Sequence, residues 1–95
     1  MTDLGRYDEA GAAYEQAIQV ELGDARSVAV AKGQLAGVRI RQKRYVEALD
    51  LYAEVRKTFQ ELGEPGYVGV AWHQIGMVHE NAGQYEAAEE AYQES

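Results

Sequence analysis

Apolar residues along this chain return at steps of three and four. In Tyr45, Ala48, Leu51, Tyr52, Val55 and Phe59 they form one stripe, which is the mark of a helix with a single buried face. The same stripe recurs in Tyr7, Ala10, Ala13, Tyr14, Ala17 and Ile18, and in Tyr85, Ala88, Ala91 and Tyr92. Between these segments lie two more helical stretches, about 25–42 and 67–82. Their matched residues are Val30/Val70, Ala31/Ala71, Leu35/Ile75, Ala36/Gly76 and Val38/Val78, each pair 40 positions apart. Val38-Arg39-Ile40-Arg41 and Tyr67-Val68-Gly69-Val70 alternate as a strand would. The helical register they share with each other overrides that local signal. Valine and glycine are weak helix formers, so these helices depend on packing rather than propensity.

Three segments repeat: Gly5-Arg6-Tyr7-Asp8-Glu9-Ala10, Lys43-Arg44-Tyr45-Val46-Glu47-Ala48 and Gly83-Gln84-Tyr85-Glu86-Ala87-Ala88, spaced by 38 and then 40 residues. A period in this range predicts a solenoid of small stacked units. The breaks agree. Glu21-Leu22-Gly23-Asp24 and Glu61-Leu62-Gly63-Glu64 are 40 apart. Gly23 and Gly63 suit the left-handed residue beyond a helix end, Pro65-Gly66 favours a turn, and Asp24 or Ser27 suits a helix cap. Shorter turns fall at Lys43-Arg44 and Gly83-Gln84. The prediction is one all-α domain over 1–95 with helices at about 8–22, 25–42, 46–62, 67–82 and 86–95.

The alternation resembles the tetratricopeptide repeat family. Trp72-His73-Gln74-Ile75-Gly76-Met77-Val78-His79 is similar to its W-x-x-L-G-x-x-Y, with Ile75 for Leu and His79 for Tyr. Ala88-Glu89-Glu90-Ala91-Tyr92 is similar to its A-x-x-x-aromatic. In the preceding unit Leu35-Ala36 holds the L-G place, while Lys32 and Arg39 stand where Trp and Tyr belong. The family period is about 34 residues; the longer period here is similar to the repeats of kinesin light chains, spindle-orienting scaffolds and bacterial regulatory arrays. The resemblance implies a right-handed α-solenoid of antiparallel helix pairs, about two and a half units. It implies A helices lining a concave groove for peptides or helices of partners, and no intrinsic catalysis. On this reading the chain opens at the end of an A helix and stops inside a B helix. The first and last helices then leave apolar flanks uncovered and drive self-association, by end-to-end stacking or by helix exchange across the Gly63–Gly66 turn.

Charge narrows the partners. The net charge is −7, against a nucleic-acid partner, which needs clustered cations. It is unevenly placed. Residues 1–24 carry one Arg and six acids, residues 25–57 eight cations and three acids, and residues 58–95 seven acids and no cation. The basic middle reads either as attraction between neighbouring units or as a patch for an acidic ligand. No apolar run is long enough for a membrane helix, and the N-terminus has no secretory order; cytoplasm is the expected setting. There is no cysteine, hence no thiolate chemistry.

Candidate chemistry is sparse. His73 and His79, six residues apart, point in different directions, and one His with Glu80 is too few ligands for a metal. Ser27, Thr58 and Ser95 have no histidine at a helical spacing, so no nucleophile–histidine pair is visible, and Glu86, Glu89, Glu90 and Glu94 read as a solvated face. No enzyme, metal or cofactor is expected. The groove is expected to comprise Val30, Gln34, Gly37, Arg41 and Arg44 on one A helix, with His73, Gln74, Met77, Glu80 and Asn81 on the next. Gly33 and Gly37 read either as close helix packing or as a smooth floor for a ligand. They occupy the places where chaperone-binding relatives carry the Lys and Asn of a carboxylate clamp, so a chaperone tail is not expected. Arg41 and Arg44 remain available to an acidic side chain. The function expected is a non-catalytic protein-interaction module. The alternative is a structural spacer in a longer array that self-associates through its ends.

Overall fold

A computed structural model describes residues 3–20 and 23–95. It contains helices α1 (Asp3–Val20), α2 (Ala25–Arg41), α3 (Tyr45–Glu61), α4 (Pro65–Asn81) and α5 (Tyr85–Glu94), with no strand among the described residues. Each helix packs on its neighbour in sequence, and the result is an all-α solenoid measuring 35 × 35 × 15 Å. The two strand-like stretches are helical.

The turns explain the even spacing. After α2, α3 and α4 the residues Lys43, Gly63 and Gly83 take φ of 62°, 71° and 80°. Each turn then closes with the same pair of backbone bonds. Arg44 N–H donates to the Arg39 carbonyl at 2.8 Å, Glu64 to Phe59 at 3.0 Å and Gln84 to His79 at 2.7 Å. This is the 6→1 closure that satisfies the last carbonyls of a helix. Lys43 performs without help from a missing Cβ what two glycines do elsewhere.

Helix starts differ more. Asp24 caps α2: its carboxylate accepts from the N–H groups of Arg26 (3.1 Å) and Ser27 (3.3 Å) and from the Ser27 hydroxyl (2.9 Å). These bonds, the Ser27 hydroxyl first, hold its pKa below the usual aspartate value. Pro65 does not stand outside the helix, as a breaker would. It is the first residue of α4, where its missing N–H is no loss and its fixed φ suits the helix. The first helix begins at Asp3 rather than at about residue 8, and Gly5-Arg6 lies inside it. A lone glycine weakens a helix by about 1 kcal/mol but does not end it. The expected end of this helix, at Glu21 and Leu22, lies outside the described residues.

Helix α3 sits centrally and feeds two apolar clusters. Ala36, Ala48, Tyr52, Ile75, Val78 and Ala91 form one, with Trp72, Leu49 and Leu51 packed on it; Ala29, Val55, Phe59 and Ala71 form the other. The alanines let helix axes approach, and the large residues fill the space between. Position 39, aromatic by the family pattern, holds an arginine that is buried nonetheless (7% exposed). Its guanidinium spans three helices, with Glu15 of α1 and Glu47 of α3 each at 3.4 Å and Gln42 at 2.8 Å. A buried charge is tolerated only when paired in this way.

Candidate binding groove between helices α2 and α4

Alternate helices of the solenoid, α2 and α4, flank a cleft of about 240 Å³. Ala29, Val30, Gly33 and Gln34 of α2 form one wall. Tyr67, Val70, Ala71 and Gln74 of α4 form the other, and Tyr52, Val55 and Phe59 of α3 form the floor. The spacing on each wall is a helical face of residues three and four apart. The lining is mostly apolar, and Val30, Tyr67 and Val70 remain about half exposed (48%, 48% and 55%). Large apolar groups held open to water in one place mark an interaction surface more strongly than scattered ones.

Stacked side chains line part of the cleft. The Phe59 and Tyr67 rings stack at 4.7 Å. The Arg26 guanidinium lies 5.1 Å from the Tyr67 ring and 5.7 Å from the Phe59 ring, and it pairs with Glu64. The Glu64 carboxylate holds this guanidinium even more firmly charged than usual. On the floor, burial lifts the Tyr52 hydroxyl above the ordinary tyrosine pKa.

Three of the residues expected from sequence line the cleft: Val30, Gln34 and Gln74. Gly37 and Arg41 continue the α2 face beyond it, at helical spacing. Met77 and Asn81 are exposed further along α4. Arg44 is engaged by Glu47 at 2.7 Å. His73 and Glu80 do not join the cleft. The His73 ring lies 5.4 Å from Tyr92, whose hydroxyl donates to Glu80 at 2.8 Å; both side chains are thus turned to α5. The reason is the repeat itself. Gly33 faces the unit that follows it, and position 73, 40 residues on, does the same, looking past the cleft. The α4 positions that look back are 67, 70, 71 and 74. His79 packs half-buried with its Nδ1 2.7 Å from Gln84 Oε1.

The floor residues Tyr52, Val55 and Phe59 and the wall residues Tyr67 and Val70 were not expected in the site. The signal for Val70 was present, because it pairs with Val30 at the repeat spacing. The floor carried no signal distinct from ordinary core. The open-floor reading of the two α2 glycines is the one the geometry fits: a Cβ on Gly33 or Gly37 would meet no atom within 4 Å. The close-packing glycine is Gly76, where a Cβ would stand 2.6 Å from the Tyr92 ring. Among the described residues no three His, Asp or Glu side chains converge for a metal, and no helix is long and apolar enough to cross a membrane.

A family model described as tetratricopeptide repeat matches residues 27–95, and a second of the same description matches residues 2–24. The chain belongs to the tetratricopeptide repeat family. No curated protein and no solved structure matches it. Tetratricopeptide repeats serve in general as protein–protein interaction or scaffold modules and are typically non-catalytic. In this tetratricopeptide repeat protein the α2–α4 cleft lies between successive A helices.

Proposed function

We propose that the chain is a non-catalytic module that holds a peptide or helix of a partner protein in the groove between α2 and α4. The observation that carries this reading is the half-exposed apolar triad Val30, Tyr67 and Val70, set around the open space above Gly33. The volume, about 240 Å³, falls below the roughly 300 Å³ at which small-molecule pockets begin. It suits one or two anchoring side chains of a longer ligand better than a free metabolite. The expected occupancy of the groove by Arg41, Met77 and Asn81 side chains extends this track beyond the cleft.

The test is a double substitution, Gly33→Leu with Gly37→Leu. A Cβ at either site meets nothing within 4 Å, so each leucine starts into open space and fills the groove, and each change favours helix by about 1 kcal/mol. Capture of the native partner from source lysate should be lost while the melting temperature holds or rises. Retained capture would sink the groove reading. A second reading, a spacer that self-associates through its terminal helices or by exchange across the Gly63–Gly66 turn, draws on exposed Val20 (74%) and Tyr85 (69%). Light scattering at high concentration decides it, since a monomer removes it.

A further inference from the structure

The cations of α2 and its turn divide into two sets. Of the six from Arg26 to Arg44, four have partners within the chain: Arg26 with Glu64, Lys32 with Glu54, Arg39 with Glu15 and Glu47, and Arg44 with Glu47. Arg41 and Lys43 make no ion pair among the described residues, and both are exposed. Arg41 lies on the groove face itself, seven residues beyond Gln34 and four beyond Gly37. Lys43 holds a left-handed backbone at φ 62° in a turn whose two counterparts use glycine. A side chain there is strained, so the position carries a cation at some expense to the fold. On α4 the place of Arg41 is taken by Asn81, which brings no charge of either sign.

We infer that the groove ligand is a protein segment with two features: a bulky apolar residue that enters the α2–α4 cleft, and an acidic residue that reaches Arg41 and Lys43. The inference rests on the groove reading above. Spacing follows from helix geometry. Val30 and Arg41 are eleven residues apart, about 16 Å along α2 at 1.5 Å per residue. An extended ligand rising about 3.3 Å per residue covers this in about five residues. Gly33 and Gly37 lie between the two contact points, and the open space over both lets a ligand backbone run close to α2. The net charge of −7 does not forbid an acidic ligand. Charges more than about 8 Å away are largely screened at physiological salt, and the nearby acids Glu15 and Glu47 are already engaged by Arg39 and Arg44, as Asp8 is by Gln42.

Selection of random twelve-residue displayed peptides on the intact chain tests the inference without a known ligand. Enriched peptides should carry Leu, Phe or Trp with Asp or Glu about five positions away. A synthetic peptide of the enriched sequence should bind about tenfold more weakly to Arg41→Glu/Lys43→Glu, the scale of two exposed ion pairs. Its Asp→Lys version should reverse that preference. Both changed residues are exposed, and circular dichroism checks that the variant folds. Enrichment blocked by Gly33→Leu/Gly37→Leu but without an acidic preference would overturn this inference and leave the groove reading standing. No enrichment, or enrichment indifferent to the leucine pair, would remove both.

Discussion

Two helical glycine sites in this protein do opposite work. Gly76 of α4 lies under the Tyr92 ring, which would stand 2.6–3.0 Å from an added Cβ. Gly33 and Gly37 of α2 face open space. The first lets α5 close on α4, where Ala88 and Ala91 are buried. The second pair stabilises nothing: two glycines weaken α2 and leave a smooth, unfilled wall. The same residue type on the A helices of two units thus marks a seam in one and a track in the other. Helical glycine has a meaning only once its neighbours in space are known.

The largest expected break of this comparison is Gly76→Ala. The methyl displaces the Tyr92 ring, and overpacking of this kind costs about 1–3 kcal/mol, more than the helix propensity gained. Thermal denaturation should show a fall of roughly 5–15 °C for a domain of this size. If the ring simply swings away, adding Tyr92→Ala to Gly76→Ala would change nothing further, and an unaltered melting temperature for Gly76→Ala alone would refute the seam. The opposite sign is expected for Gly33→Ala with Gly37→Ala. Nothing obstructs either methyl, so urea unfolding should show a gain of about 1–2 kcal/mol for the pair. A loss would mean that the α2 face is covered.

The turns sharpen the same contrast at lower stakes. Lys43→Gly relieves a left-handed side chain but frees the unfolded chain, for a net gain of up to about 1 kcal/mol, whereas Gly63→Ala and Gly83→Ala should each lose about that much. Equal effects at all three turns would show that Lys43 is not strained. The smallest effect concerns pH. The folded pKa of Asp24 is depressed by Ser27 and the α2 amides, so its stabilisation is present above the unfolded value near 4 and fades as pH falls through the folded one. Asp24→Asn should flatten the acid limb of a melting-temperature profile slightly; an unchanged limb would show that the cap does not titrate.

Much of the fold was legible in the chain because its signal is local and repeated. Steps of three and four, glycine at 63 and 83, and matched residues 40 apart each report on a few neighbouring positions. The tetratricopeptide family was legible by resemblance, on Trp72 to His79 and Ala88 to Tyr92. Pro65 was misread, since proline at the first turn and proline as a breaker differ only in where the preceding residue has gone. The start of the first helix was placed too late, because Gly5-Arg6 matches Lys43-Arg44 and Gly83-Gln84 in the repeat, yet it lies inside α1. In the groove, Val30, Gln34 and Gln74 were legible from the A-helix face. His73 was assigned to the wrong side, because repeat equivalence says that two residues point the same way, not that they meet. The floor residues Tyr52, Val55 and Phe59 look like core in the sequence, and core is what they are until two other helices stand apart above them.

The sequence alone determined the number of helices and their order, because hydrophobic periodicity and turn chemistry act over a few residues, and its motifs carried the resemblance to the family. Only the tertiary structure decided which glycines are filled, which cations remain unpaired and where an apolar surface stays open. Those properties depend on what lies opposite, and what lies opposite is fixed by helix packing across 20 to 40 residues of chain.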